Sequence, residues 1–174
     1  MTLQELLDAR QLPAVDFPSS ATGWWQRHRE LSRLLCQEAY GQLPPPPLQL
    51  HAQELVLEER FCAGKAPLQQ LRLSCTLPGG QVSFPVSLAI PRQESPCPAI
   101  VFISFRPNFP DKYLPVEELT DRGYAVASFC YSDVTADNSD FRSGLAAVLD
   151  GDRSRPNASG KLILWAWAAM RVLD

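Results

Sequence analysis

The sequence predicts an α/β fold: amino-terminal helices, then a sheet that opens on an antiparallel hairpin, continues as parallel strands joined by crossover helices, and is incomplete. Three observations carry this expectation. Apolar residues recur with a period of 3.6 through "GWWQRHRELSRLLCQEAYG", with a period of two between Leu50 and Ile90, and as the continuous runs "PAIVFISF" and "YAVASFCY" after that. Each pattern belongs to a different element: amphipathic helix, half-covered strand, and strand buried on both faces.

A chain of 174 residues suits one domain with its own core. We therefore expect a single partial domain over 1–174, with a helical segment and proline strap over 1–47 and the sheet portion over 48–174. A hydrophobic content of 45% with 20% charged residues is ordinary for a soluble protein, and part of the excess of 16 prolines is local, in "LPPPPLQL".

The elements follow in order. Thr2 and Glu5 have capping-box spacing, and Leu3, Leu6 and Leu7 then share a face, which predicts a short first helix. In the second helix Trp24, Leu31, Leu34, Leu35 and Ala39 keep the helical period, and Gly41 is placed to end it. Pro44 to Pro47 force an extended connector. "LHAQELVLEERF" is a weaker strand candidate. Leu71, Leu73, Cys75 and Leu77 then alternate, as do Val82, Phe84, Val86, Leu88 and Ile90, with "PGG" between the two runs as a hairpin turn. Pro85 predicts an edge position or a bulge.

The two continuous apolar runs flank "VEELTDRG", a short helix closed by Gly123, so they predict parallel neighbours joined by a crossover. Residues 132–157 read as a long polar loop with room for a short helix at "FRSGLAAVL". From about Ala158 the apolar "KLILWAWAAMRVLD" predicts a further crossover helix, with Trp165 and Trp167 in the core.

A net charge of −3 and a pI near 5.4 give no electrostatic reason to expect nucleic acid or an anionic membrane as partner. The first residues lack the basic start and apolar stretch of a secretory signal, and no run is long enough to span a membrane, so a cytoplasmic location is expected. The five cysteines are widely spaced without a C-x-x-C pair, which favours free thiols over bridges or a metal site. Neither a metal nor a cofactor is expected. "NAS" at Asn157 to Ser159 fits a glycosylation acceptor, but the tripeptide is common and it reads better as a loop at the start of the last helix.

No G-x-S-x-G elbow, phosphate loop, G-x-G-x-x-G or H-E-x-x-H occurs, and His28, inside the tryptophan-bearing helix, and His51, just after the proline strap, read as packed or surface histidines. No catalytic residue is therefore assigned. The close pairs Glu58 and Glu59, Glu117 and Glu118, and Asp150 and Asp152 read as solvated faces or helix starts. Asp133 and Asp137 in "YSDVTADNSD" follow the carboxyl end of a predicted parallel strand, the edge at which open α/β sheets bind ligands; they are candidates for a strand-end pocket, and turn formation is the alternative.

"WWQRHRELSRLLCQEAYGQLP" resembles the amino-terminal helix of the glucuronoyl esterase and acetyl xylan esterase-like group of α/β-hydrolases, with its W-x-x-R-R-x-E-L…YG-x-x-P pattern. The matching positions are Trp24 or Trp25, Arg27, Arg29, Glu30, Tyr40, Gly41 and Pro44, with His28 standing where the pattern has its second arginine. "DRGYAVASFCYSDVTAD" is similar to the group's G-Y-A-V-A…D-x-x-x-D stretch, and "GKLILWAWAAMRVLD" to its A-W-A-W…R-x-x-D helix.

The resemblance implies an incomplete α/β-hydrolase-like sheet, whose relatives follow this helix with a G-H-S-R-x-G-K type elbow and then an acid and a histidine. It also implies that the loop "SFRPNFP" occupies the position which in α/β-hydrolases contributes to the oxyanion hole. Phe105, Arg106 and Asn108 are thus candidates for that loop or pocket, or they serve to shape the loop together with Pro107 and Pro110. The expected substrate of a complete relative is a carbohydrate ester of the plant cell wall. The expected partner of this chain is a missing carboxy-terminal half or a second copy of itself. An interaction module without catalysis, or a truncated product without activity of its own, stands as the alternative.

Overall fold

A sheet of five strands in the order β1-β2-β3-β5-β4 organises the chain, and each strand follows from the period that predicted it. The computed structural model describes residues 2–10, 17–149 and 153–174. β1 (Gln49–Glu58), β2 (Leu68–Leu77) and β3 (Gly80–Ala89) form an antiparallel meander. Pro78 and Gly79 make the two-residue turn between the last two, with Leu77 opposite Gly80. β5 (Ala125–Cys130) lies antiparallel to β3 and parallel to β4 (Ala99–Ser104), and α3 (Val116–Asp121) connects the parallel pair.

The sheet buries two cores. On one face Leu73, Cys75, Leu77, Val82, Phe84 and Val86 pack against α5 (Gly144–Leu149) and α6 (Lys161–Leu173). On the other, Ala89 and Val126 pack with Leu114 and Val116 around α3. The alternation expected through Leu88 and Ile90 therefore changes at the end of β3: Ala89, on the opposite face of the pleat, is fully buried, whereas Leu88 is half-buried and Ile90, past the strand, is exposed.

One further expectation is corrected, and one is refined. β5 is buried at every position, but β4, predicted as covered on both faces, is mostly half-buried because it is an edge strand. Pro85 makes no bulge and belongs to an inner strand, but it occupies the expected edge position locally, on a part of β3 that is paired on one side only. It faces Arg72 in unbroken register with β2, and pairing of β3 with β5 is confined to Ser87, Leu88 and Ala89, so the imide at Pro85 interrupts no ladder on that side. The register shift falls in β1 instead, between Glu54 and Val56.

α6 buries Leu164, Trp165, Trp167, Ala168 and Arg171, the stripe that a 3.6 period places on one face. Trp167 donates its indole N–H to the carbonyl of Pro45 at 2.8 Å, so the proline strap is tied to the helix core. The segment just before the strap is clamped as well: Gln42 N–H bonds the Asn157 carbonyl at 3.0 Å, Gly160 N–H bonds that of Tyr40 at 2.8 Å, and Gly41 adopts φ +81 beside Ala158. The "NAS" tripeptide thus lies in the loop before α6.

The chain divides into two units, Met1–Leu35 and Cys36–Asp174. In the first, α1 (Leu3–Asp8) carries the predicted capping box, with Glu5 N–H to Thr2 Oγ1 at 3.2 Å and Thr2 N–H to Glu5 Oε2 at 2.7 Å. α2 (Ala21–Glu38) begins in this unit with Ser20 Oγ accepting from Gly23 N–H at 3.1 Å. None of the side chains of α2 is buried, Trp24 and Leu34 included. The region read as a long polar loop starts with a short helix, α4 (Tyr131–Val134), because Val134 turns into the main core.

Candidate functional site

β4 and β5 run parallel and end at Ser104 and Cys130, so the loops that follow them lie together at the carboxyl edge of the sheet. The loop after β4 is locked from within. Arg106 donates Nε to Asp111 Oδ2 at 2.8 Å and Nη2 to Oδ1 at 2.9 Å, and Tyr113 N–H adds a third donor to Oδ1 at 2.9 Å. The Ser104 hydroxyl donates to the Arg106 carbonyl at 2.6 Å and accepts the Arg106 N–H at 3.1 Å.

The Asp111 side chain is buried while the guanidinium is partly exposed and lies over the Tyr113 ring, 4.9 Å from its centroid. The Arg106 guanidinium, with the Tyr113 N–H, holds the Asp111 carboxyl below the usual carboxylate range. Phe109 anchors the loop in the second core beside Phe61, and the Phe109–Pro110 peptide is cis.

Beneath this loop is a small polar cavity of about 40 Å³, lined by Arg106, Asn108 and Asp133 together with Ser87, Ser104 and Ser128. Burial raises the pKa of the Asp133 carboxyl above its ordinary value. Three of the five candidates named from the sequence thus meet here.

The other two, Phe105 and Asp137, line a separate open groove of about 390 Å³ shared with Tyr40, Lys161, Leu162 and Trp165. Phe105 is 74% exposed and packs on Tyr131 with centroids 5.5 Å apart; Tyr131 in turn meets Trp165 edge-on at 5.1 Å. Trp165 is fixed by its indole N–H to the Thr135 carbonyl at 3.0 Å.

Lys161, at the first position of α6, bonds Thr135 Oγ1 at 3.0 Å and the Asp140 carbonyl at 2.6 Å. Burial lowers its pKa, the neighbouring carboxylates opposing this in part. Sequence reasoning missed Ser104, Asp111, Tyr131 and Lys161. A signal existed for Lys161, since a cation opening a helix opposes the macrodipole and needs local acceptors.

The remaining charged candidates lie elsewhere: Glu59 pairs with Arg92, Glu117 with Lys65, and Asp150 and Asp152 fall outside the described residues. Among the described residues no three metal-ligating side chains come together, and no helix is long and apolar enough to cross a membrane.

A mixed sheet with an antiparallel start, a parallel pair and helices packed on both faces matches part of an α/β-hydrolase-like fold. No protein-family model and no curated protein matches the chain. Solved structures do. A glucuronoyl esterase of carbohydrate esterase family 15 from Teredinibacter turnerae matches 89% of the chain over 42% of its own length, with TM-score 0.73 and 24% identity. One from Solibacter usitatus matches 94% over 54%, with TM-score 0.74 and 21% identity. A variant from Sporotrichum thermophile, in complex with methyl 4-O-methyl-β-D-glucopyranuronate, matches 89% over 36%, with TM-score 0.61 and 22% identity. At these identities the likeness is one of fold, and the chain spans about half or less of the length of each structure.

Proposed function

We propose that the chain is the amino-terminal part of a carbohydrate ester hydrolase of the glucuronoyl esterase type, and that the nucleophile, acid and histidine of the reaction lie outside its 174 residues. The observation that carries this reading is the match of nearly the whole chain to about half of a glucuronoyl esterase. The helix and sheet motifs that resemble that group support it independently.

In the complete hydrolase an activated serine attacks the ester carbonyl, and donors at the carboxyl edge of the sheet stabilise the oxyanion that develops. The part of this chain is to shape that edge. The Arg106 N–H is taken by Ser104, and two guanidinium donors are taken by Asp111. Among the side chains of this loop, the donors left are the Asn108 amide and the remaining guanidinium N–H groups.

The coding sequence beyond codon 174 tests this directly. A strand-forming run followed by a G-x-S-x-G type elbow supports the reading, and unrelated sequence overturns it. On p-nitrophenyl acetate the chain alone should show no turnover above background; turnover abolished by a serine-directed inhibitor would place the nucleophile inside it.

A second reading, an interaction module that binds a partner strand, is favoured by β1. This edge strand is exposed along nearly all its length, with Leu55, Val56 and Leu57 in sequence.

A further inference from the structure

We propose that two copies of the chain pair through β1, antiparallel about a two-fold axis at the bulge between Glu54 and Val56, so that each sheet continues into the other. The inference goes beyond the esterase reading, and it rests on the reading of β1 as a strand-binding edge, to which it gives a definite partner.

β1 is the longer of the two open edges, ten residues against six in β4, and it is exposed from His51 to Glu58. Its sequence, QLHAQELVLE, holds none of the lysines or prolines that guard an edge strand. Its irregularity is the bulge, which lies near the middle of the strand.

The bulge selects the partner. Before it, Leu50 and Ala52 stand opposite Cys75 and Leu73 on the face that packs against α6, with His51 and Gln53 on the other face. After it, Leu57 opposite Gln69 takes the first face, and Val56 and Glu58 take the second. One extra residue thus reverses which positions share a face. A straight foreign strand leaves that residue unpaired, as β2 does at Leu55. A second copy running antiparallel carries the same extra residue, and where the two bulges meet at the axis the reversals cancel.

In that register Ala52 faces Leu57 of the second copy, His51 faces its Glu58 and Gln53 its Val56, each pair on a common face and each occurring twice. Residues that share a face also point their free N–H and C=O groups the same way, so the open backbone groups of the two strands meet. The side chains are complementary as well. Ala52 lines an apolar groove of about 270 Å³ with Leu50, Leu71, Leu73 and Val86, and a leucine from the second copy supplies the bulk that the alanine lacks. His51 and Glu58 are a donor and an acceptor, and of opposite sign once the imidazole is protonated. The like-charge meeting is that of Glu54 with its own counterpart beside the axis, and Gln69 already donates to this carboxylate at 3.3 Å.

Sedimentation equilibrium of the intact 174-residue chain should show the mass rising from one chain to two with concentration. Leu57→Lys should weaken the pairing about tenfold, and Glu54→Gln should strengthen it about threefold. Both side chains are exposed, so the circular dichroism of the variants should match the parent. Under mild oxidation a mixture of His51→Cys and Glu58→Cys chains should form a disulfide between chains, whereas each variant alone should form no more than the parent with its own free cysteines. A monomer at every concentration, or as much disulfide in either variant alone as in the mixture, would overturn the proposal. Protection of the β1 amides of such a monomer by a synthetic peptide of alternating valine and threonine would overturn the self-pairing while keeping the strand-binding edge. The esterase reading is decided separately by the sequence past codon 174.

Discussion

Arg106 and Asp111 face each other as a bidentate pair, Nε to Oδ2 at 2.8 Å and Nη2 to Oδ1 at 2.9 Å, with the carboxylate buried and the guanidinium partly exposed. The asymmetry makes the aspartate the dependent partner: without Arg106 its charge stays buried with only backbone and hydroxyl support. The loop that bears Phe105 and Asn108 takes its shape from this pair.

Acid should therefore loosen the loop. Asp111 has a folded pKa below its unfolded value, so its contribution is fully present above the ordinary carboxylate value of about 3.9 and is lost as pH falls through the lower folded value. Arg106→Ala should raise the pH at which acid unfolding begins, with Arg106→Lys intermediate because an ammonium has no fork. Circular dichroism across the acid range checks this, and an unchanged acid limb in Arg106→Ala would show the pair to be idle.

Trp167 is fully buried and holds the strap through Pro45. Trp167→Ala should cost about 3–5 kcal/mol in urea unfolding. Trp167→Phe keeps most of the volume but deletes the donor, and should cost about 1 kcal/mol or somewhat more. Equal stability of Trp167→Phe and the parent would mean that the indole bond does not secure the strap.

Gly41 has φ +81, and a Cβ there would stand 2.2 Å from the Ala158 carbonyl oxygen. Gly41→Ala should therefore cost more than the roughly 1–2 kcal/mol of a left-handed alanine alone. Comparison with Gly64→Ala separates the two effects, since Gly64 shares the positive φ but has 3.7 Å of clearance.

Cys75 is fully buried, and burial pushes its thiol up to about 11. Because the folded value exceeds the unfolded one, the thiol's contribution to stability is complete below the unfolded pKa, about 8.5, and fades as pH rises toward 11. Ellman's reagent at pH near 8 should reach Cys75 only on unfolding, and rapid native-state labelling there would contradict its burial.

Both edges of the sheet, β1 and β4, are open. Self-association at high concentration is expected, and a charge on the exposed β1 edge, Val56→Lys, should reduce it. Sedimentation velocity at two concentrations decides between this and a stable monomer.

The strands and helices were legible because each leaves a local trace. Thr2 with Glu5, Pro78 with Gly79, and the stripe through Trp165, Trp167 and Arg171 are patterns a few residues long. The candidate residues were less legible. Arg106, Asn108 and Asp133 were named one by one from their place after a strand, yet Ser104 and Asp111, which fix the loop, carry no motif.

Sequence alone determined the period of each element, the turn of the hairpin, and the resemblance of its motifs to an esterase framework. Only the tertiary structure decided that β5 lies inside β4, that β4 is therefore an edge, and that the five named residues divide between a polar cavity and an aromatic groove. The reason is physical. Periodicity records which face of an element is covered, a property of neighbouring residues, whereas strand order and side-chain meetings such as Phe105 with Tyr131 depend on where distant loops end once the whole sheet has formed.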